Sequence, residues 1–398
     1  MDEAGARWCD GVTGLLRGSR AASPSALADV INHAVGQLGV DVWVYLVDRE
    51  QMGLRALPRT GRATPEPLSI DQTLAGRAYT MVETVQPPHR SDQVWMPLVD
   101  DSERLGVLEV NLAPGVSPET TAMRQGLEVL AIVVGHLLVG KSAYGDTIRR
   151  ARRSRPMSTE GEMLWRSLPP LTCITERVAV TAALEPSYDV GGDAFDYAID
   201  HGNLRIVVLD AVGHGLTAAL TSTLTLAATR AARAAGLDLP ATATAADQAI
   251  TSQFQELRYA TGVLAEIDTD SGVVRYLNAG HPPAMLIRRG KAVSALDAAP
   301  RPPLGIPEPS TLAHADLQPR DRLLFYTDGI TDARDAAGNF LGLDRLVDMA
   351  ERHSASGLPA AEVCRRLSHT VLDYQDGTLA DDATLVLVEW LPGTGNLP

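Results

Sequence analysis

Apolar residues in the first third of the chain follow a helical period and then a strand period. A helix is predicted after Ser23 and Pro24, which fit a helix start, because one face collects Leu27, Val30, Ile31, Ala34 and Leu38. Short apolar runs then predict four strands, at residues 42–47, 52–57, 94–98 and 105–112. The last two strands flank the turn-like DDSER, so they are predicted to form an antiparallel hairpin.

The segment from about residue 117 to 168 is predicted to be a long helical connector. Its apolar residues alternate by four and three positions, as in a coiled-coil seam: Met123, Leu127, Leu130, Val134 and Leu137. Two interpretations remain open, a dimer stalk that carries a signal and an amphipathic helix packed on its own domain. Glycines at 135, 140 and 145 weaken the first interpretation. Pro169-Pro170 then marks the start of a new domain.

Beyond this point strands dominate and helices come in pairs. Strands are predicted at residues 178–183, 204–209, 262–267, 273–278, 284–287, 322–326 and 384–390. Helices are predicted at residues 216–235, 244–257, 343–353 and 359–374. Antiparallel strands with segregated helices indicate a layered α+β sandwich.

Length, composition and charge exclude some classes of function. A chain of 398 residues predicts two domains. Its net charge of -14 argues against a nucleic-acid-binding body and suits a protein that binds cations. Three scattered cysteines favour neither a disulfide framework nor a zinc site. The acidic start has no apolar signal core, and the apolar stretch 127–140 is too short to span a bilayer, so we expect a cytoplasmic protein with no membrane segment.

Acidic residues stand where predicted strands meet tight turns. Asp193 lies in GGDAFD, Asp210 follows the apolar run VVL, Asp328 lies in FYTDG, and Asp381-Asp382 precede the last strand. Carboxylates at strand ends are held rigidly, and converging ones repel unless a cation is bound. Oxygen ligands of this kind suit Mg²⁺ or Mn²⁺. Two such ions about 4 Å apart can hold a bridging hydroxide and clamp a phosphoryl group.

Six motifs in sequence order resemble those of the metal-dependent protein phosphatase (PPM) family, in particular its bacterial SpoIIE-like branch. They are GGDAFDY, DAVGHG, NAGHPP, PPLGI, FYTDGITDARD and DDATLVLV, within residues 160–391. The hairpin VWMPLVDDSERLGVLEVNL gives the N-terminal region a resemblance to a GAF domain, a small-molecule-sensing or dimerising fold.

These resemblances imply an architecture. An α+β chain is expected, with a C-terminal layered α-β-β-α sandwich of antiparallel sheets, preceded by a GAF-like α/β sensor domain and a helical connector. The expected boundaries are 1–140 for the sensor or dimerisation domain, 141–170 for the connector and 171–392 for the phosphatase domain.

The resemblance also implies a site for two Mg²⁺ or Mn²⁺ ions. The implied ligands are Asp193 and Asp210, which touch both ions or the water between them, the backbone carbonyl of Ala211, and Asp328 and Asp381.

Three further residues have implied supporting roles. Asp382 is implied to support the ligands without binding an ion itself, and His281 to shape a loop beside them. His214 either protonates the leaving serine or threonine oxygen or orients Asp210, and both roles remain open. No arginine is assigned to the substrate phosphate.

The function implied is hydrolysis of phosphoserine or phosphothreonine on a protein, by metal-activated water and without a covalent intermediate. SpoIIE-like relatives suggest an anti-sigma-factor antagonist as substrate. The N-terminal domain is expected to receive an unknown small-molecule or protein signal and to form a homodimer. The alternatives are a diguanylate cyclase, disfavoured because Ala194 replaces the glutamate of GGDEF, and a catalytically inactive sensor or interaction protein.

Overall fold

The structure of the protein is a computed structural model, and it describes residues 3–185, 188–189, 191–254, 256–375 and 381–391. The predicted domain end at residue 392 lies outside the described residues. The chain divides into two compact units, Met1–Arg155 and Pro156–Pro398, here called the N-terminal and C-terminal units. This division falls inside the segment assigned to the connector.

The N-terminal unit is an antiparallel sheet with helices on both faces. Its elements are α1 (Glu3–Ala21), a 3-10 turn (Pro24–Ala26), α2 (Leu27–Gly36), β1 (Val40–Val47), β2 (Gly53–Ala56), β3 (Leu68–Ser69), α3 (Leu74–Met81), β4 (Gln93–Asp100), β5 (Glu103–Leu112), α4 (Thr121–Ser142) and α5 (Thr147–Ala151). The strand order is β3-β2-β1-β5-β4, and every neighbouring pair is antiparallel.

Strand β1 has apolar side chains on both faces, and each face packs into a hydrophobic core. Val42, Val44 and Leu46 belong to the core that includes α1, α2 and α4. Trp43 and Tyr45 point the other way, into a second core that includes α3. The predicted helix and the four predicted strands of this region are present, whereas the likeness to a GAF domain stays a prediction.

Helix α1 was not predicted. Its glycines lower helix propensity, so packing has to stabilise it, and Trp8 and Leu15 are buried in the core of the unit. Gly126 of α4 makes room for Trp8, since a Cβ at Gly126 would lie 2.1 Å from Cδ2 of the Trp8 ring. The two helices therefore depend on a glycine for their close approach.

The long helical connector predicted for residues 117–168 is divided into three helices. The region folds as α4, α5 and α6 (Thr159–Ser167), and α6 belongs to the C-terminal unit. The seam residues Leu127, Leu130 and Val134 are buried in the core of the N-terminal unit. The seam thus packs on its own domain, the second of the two interpretations.

Helix α4 is also longer than the apolar stretch in the sequence indicated. In the described part of the chain it is the one helix that is long and apolar enough to cross a membrane, at 22 residues. This is weak evidence for a span, because 44% of its most apolar window is buried inside the protein, as in the core helices of soluble proteins.

The C-terminal unit contains two sheets. Its further elements are β6 (Thr172–Ile174), β7 (Val178–Glu185), β8 (Asp193–Asp200), β9 (Asn203–Ala211), α7 (Gly215–Ala234), α8 (Leu239–Gln253), β10 (Ala260–Asp268), β11 (Val273–Ala279), β12 (Met285–Arg288), β13 (Lys291–Ala295), β14 (Pro300–Arg301), β15 (Ala313–Asp316), β16 (Arg322–Tyr326), α9 (Asp328–Thr331), α10 (Gly342–Ser354), α11 (Ala360–Tyr374) and β17 (Ala383–Trp390). The first sheet has the order β14-β11-β10-β9-β8 with β15 beside β11, and the second has the order β13-β12-β16-β17-β7-β6.

These sheets stack between two pairs of helices. Val386 and Val388 of β17 belong to a cluster of buried residues that includes both sheets and Leu226 of α7. Leu385 and Leu387 point to the opposite face, into a core shared with α10 and α11. The predicted α-β-β-α sandwich of mainly antiparallel sheets is therefore confirmed.

A tight hairpin joins β8 to β9. Asp200 pairs with Asn203, and the two residues between them, His201 and Gly202, have φ angles of 49° and 77°. Two central residues with positive φ are typical of the turn whose twist matches antiparallel strands. From this turn the register runs without a shift to the pair Asp193 and Asp210 at the far end.

Candidate active site

Two acidic residues face each other at the open end of the β8–β9 hairpin. Asp193 is the first residue of β8, and its partner across the ladder is Asp210 near the end of β9. Side chains directly opposite in an antiparallel pair lie on the same face. Asp193 is only 1% exposed, so its carboxyl group lies inside the sandwich.

The second sheet brings further carboxylates to the same end. Asp328 follows β16 after one residue, and Asp381 and Asp382 immediately precede β17. Strands β16 and β17 are antiparallel neighbours, with Tyr326 opposite Leu385, so the end of one adjoins the start of the other. Asp382 is half-buried and Asp328 and Asp381 are exposed, and the acidic group therefore opens to solvent.

The Asp382 carboxylate holds the GGD loop in place. Its Oδ2 accepts hydrogen bonds from the backbone N–H groups of Gly191 at 2.9 Å, Gly192 at 2.6 Å and Asp193 at 3.3 Å. Burial raises the pKa of Asp382, while these three donors lower it. Asp382 thus joins the two sheets, and the supporting role implied for it stays a prediction.

Thr327 is a site residue that the sequence reasoning missed. Its hydroxyl donates to Oδ2 of Asp193 at 2.7 Å and accepts from the backbone N–H of Thr384 at 2.9 Å. Thr327 is fully buried, so neither bond competes with water. The threonine before Asp328 in the motif TDG was the available signal, but only the fold shows what its side chain contacts.

Repulsion among the carboxyl groups is evident in their pKa values. Burial, followed by the charges of Asp328, Asp381 and Asp382, raises the pKa of Asp210 to about 7. Burial, followed by the charges of Asp210 and Asp382, raises the pKa of Asp193 well above its usual range. The fully ionised group is therefore unfavourable without a counter-charge.

Oxygen atoms converge on Gly192 in a way that fits a hard cation. A Cβ built there would lie 3.0 Å from the carbonyl oxygen of Ala211, 3.3 Å from Oδ1 of Asp210 and 3.5 Å from Oδ2 of Asp382. Such oxygen donors suit Mg²⁺ or Mn²⁺. Among the residues that the structure describes, however, no group of three His, Cys, Asp or Glu side chains is already placed to hold an ion. The ligand set stays a prediction.

His214 stands at the mouth of the site. It is the N-cap residue of α7, its side chain does not cap the helix, and it is exposed. Within the described residues its ring makes no hydrogen bond to Asp210, so the orienting role has no contact to support it. An exposed imidazole is accessible to a substrate.

His281 lies behind the site. Its Nδ1 is 2.8 Å from the hydroxyl of Thr261, which is 3.5 Å from the carbonyl oxygen of Asp210. The side chain of Asn278 fixes the backbone of His281 with two hydrogen bonds of 2.7 Å. Burial lowers the pKa of His281 to about 4, so the ring is neutral near pH 7 and does not serve as a protonated acid.

Comparison with known proteins agrees with this arrangement. Residues 200–391 match the family model of stage II sporulation protein E (SpoIIE). The match spans just under half of the chain. The matched region includes Asp210, His214, Asp328 and Asp381, whereas Asp193 lies just before it.

Two curated relatives of this chain come from Bacillus subtilis strain 168. The phosphoserine phosphatase RsbP is 29% identical over 225 residues, which cover 54% of this chain and 53% of RsbP. The phosphoserine phosphatase RsbU is 24% identical over 215 residues, which cover 54% of this chain and 63% of RsbU. Each match therefore spans less than two thirds of the relative.

Solved structures include the SiaA-PP2C domain of Pseudomonas aeruginosa. It is 24% identical, with a TM-score of 0.48, and the match covers 54% of this chain and 86% of that domain.

Replacing Thr327 with valine tests its role in the candidate active site. The variant keeps the shape but removes the Thr327 donor from Asp193 and the acceptor of the Thr384 N–H. We expect a loss of about 1–3 kcal/mol in the free energy of unfolding and an affinity for Mn²⁺ lowered about 10- to 100-fold. Urea unfolding and calorimetry measure the two effects.

The matched control is Thr244→Val on α8, whose exposed hydroxyl bonds only the preceding turn at Pro240. It should change neither quantity. If Thr327→Val bound Mn²⁺ as tightly as the control, Thr327 would have no part in positioning Asp193.

Proposed function

We propose that this chain is a metal-dependent protein serine/threonine phosphatase. The observation that carries the proposal is the meeting of Asp193 and Asp210 from one sheet with Asp328, Asp381 and Asp382 from the other, in a group that opens to solvent. The match of residues 200–391 to the SpoIIE family supports it.

The residues divide into two ligand groups. Asp210, Asp328 and Asp381 would hold one ion, and their charges already act on one another. Asp193, Asp210 and the carbonyl of Ala211 would hold the other. When bound, two divalent cations would supply an activated water and neutralise charge on the phosphoryl group. The protein keeps Asp193 oriented through Thr327 and keeps the GGD loop closed on Asp382.

His214 acts as the general acid in this proposal. A serine alkoxide is a poor leaving group, so a proton must reach its oxygen as the P–O bond breaks. Exposed His214 lies four residues beyond Asp210, in a loop whose Gly213 has a φ of 96°. His281 is unsuited to this role because it is buried and neutral.

The substrate in this proposal is a phosphoserine- or phosphothreonine-bearing protein of the anti-sigma-factor antagonist class. The support is the resemblance to the SpoIIE-like branch and the naming of RsbP and RsbU as phosphoserine phosphatases. The assignment is tested by incubating such a phosphorylated antagonist with the purified chain. Dephosphorylation is measured as loss of the phosphoserine signal in mass spectrometry.

The deciding assay is phosphate release from a phosphoserine peptide by the full chain, with and without Mn²⁺. We expect turnover that depends on the metal and is lost in Asp328→Ala, which removes one carboxylate from the group. Asp200→Ala, at the far end of β8, is the control and should retain activity.

Absence of turnover with any divalent metal would contradict the proposal. It would favour the alternative, an inactive protein that uses the fold to bind a partner, if calorimetry also detected no Mn²⁺ binding.

A general-acid role for His214 predicts dependence on the leaving group. His214→Gln should lower kcat for the phosphoserine peptide by about 10²- to 10⁴-fold. It should have little effect on p-nitrophenyl phosphate, whose leaving group needs no proton. Equal losses on both substrates would instead indicate that His214 positions the metal site.

The N-terminal unit is proposed to receive a signal and to join two copies of the chain. The support is an exposed apolar stripe on α4, where Val129, Ile132 and Val139 are 46%, 55% and 43% exposed. This stripe lies on a different face from the buried seam. Ile132→Glu should convert a dimer into a monomer in sedimentation velocity, whereas Gln248→Glu on exposed α8 should not. A monomeric wild-type chain would contradict the dimer.

A further inference from the structure

Arg258 borders the loop between Asp210 and α7, although no motif in the sequence pointed to it. Strands β9 and β10 pair with Ala211 opposite Ala260, so the residues before β10 run alongside the residues after β9. The N–H of Val212 donates to the carbonyl of Tyr259 at 3.1 Å. A Cβ built on Gly213 would lie 4.0 Å from Nη1 of Arg258. The guanidinium therefore borders the loop that carries His214.

The backbone at Arg258 is held from its other side by the PPLGI loop. Leu304 and Ala260 exchange two hydrogen bonds of 2.9 and 2.8 Å. A Cβ at Gly305 would lie 2.5 Å from the carbonyl oxygen of Arg258, so only glycine allows this approach.

A buried ion pair fixes the PPLGI loop in turn. Arg301 Nη2 lies 2.8 Å from Oδ2 of Asp247, and the two side chains are 2% and 3% exposed. The same Asp247 accepts from the N–H of Gly305 at 2.8 Å. Through these contacts, the PPLGI motif places the backbone of Arg258 next to the active-site loop.

The side chain of Arg258, by contrast, has a weak and replaceable partner. Its Nη2 lies 3.4 Å from Oε2 of Glu256, whose side chain is 83% exposed. An ion pair this open to water contributes little. A phosphate dianion competes well with it, because guanidinium binds phosphate through two parallel hydrogen bonds.

Three other basic side chains in the described part of the C-terminal unit have partners elsewhere. Arg334, six residues after Asp328, stacks on the ring of Phe340 at 3.8 Å and donates to the carbonyl of Gly338. Lys291 pairs with Glu351. Arg301 is locked in its buried pair.

We propose that Arg258 binds the phosphate group of the phosphoserine substrate. This rests on the proposed phosphatase function and supplies the phosphate-binding side chain for which no motif accounts. An acidic site repels a phosphate dianion, and a guanidinium at its border provides attraction before any bond changes.

The test compares Arg258→Ala and Arg258→Lys in the full chain at saturating Mn²⁺. Arg177→Ala is the matched control, because Arg177 also makes an open ion pair, 3.6 Å from Asp270, with its side chain 47% exposed. KM and kcat for the phosphoserine peptide, Ki for inorganic phosphate and the affinity for Mn²⁺ are measured for each.

We expect Arg258→Ala to raise both KM and Ki by about tenfold or more. Its kcat and its Mn²⁺ affinity should change little, Arg258→Lys should recover part of the loss, and the control should match the wild type. Unchanged KM and Ki in Arg258→Ala would overturn the inference. So would a parallel loss of Mn²⁺ affinity, which would mean that Arg258 acts on the metal site.

A wild-type chain without turnover would count against the phosphatase function but not by itself against Arg258. Calorimetry of inorganic phosphate binding to the Mn²⁺-loaded protein then tests the role of Arg258. Weaker binding in Arg258→Ala than in Arg177→Ala would uphold the inference, and equal or absent binding would overturn it.

Discussion

Hydrogen bonds across the gap between two sheets hold the candidate active site together. The Thr327 hydroxyl links Asp193 of one sheet to the backbone of β17 in the other, and the Asp382 carboxylate accepts three N–H groups from the GGD loop. Apolar packing between the sheets brings the strand ends close together but does not fix the orientation of the polar side chains there. These directional bonds determine which oxygen atoms point toward one another.

The same arrangement makes the metal-free site electrostatically unfavourable. Burial and mutual repulsion raise the pKa values of Asp193, Asp210 and Asp328, so keeping the group ionised destabilises the folded state. A bound divalent cation would reverse the sign of this contribution. Metal binding and stability of the C-terminal unit are therefore expected to be linked.

The sequence predicted what depends on local pattern. Asp210 and Asp328 were recognisable because each comes after an apolar run, and the sandwich followed from strand periodicity. Helix α1 was missed because glycines obscure its pattern and Trp8 is accommodated only by a glycine on another helix. Thr327 and Arg258 were missed because their roles depend on partners far away in the chain. Such contacts follow from register and loop packing, which no single segment encodes.

The β8–β9 turn illustrates a further consequence of register. His201 and Gly202 lie seven residue pairs from Asp193 and Asp210, about 24 Å along the ladder. A slip of one residue at this turn would place Ala194 opposite Asp210 or move one of the two carboxylates to the other face of the sheet. The turn thus sets the register of the acidic pair from the far end of the hairpin. An insertion of one residue there would therefore misalign the acidic pair without changing any residue of the site.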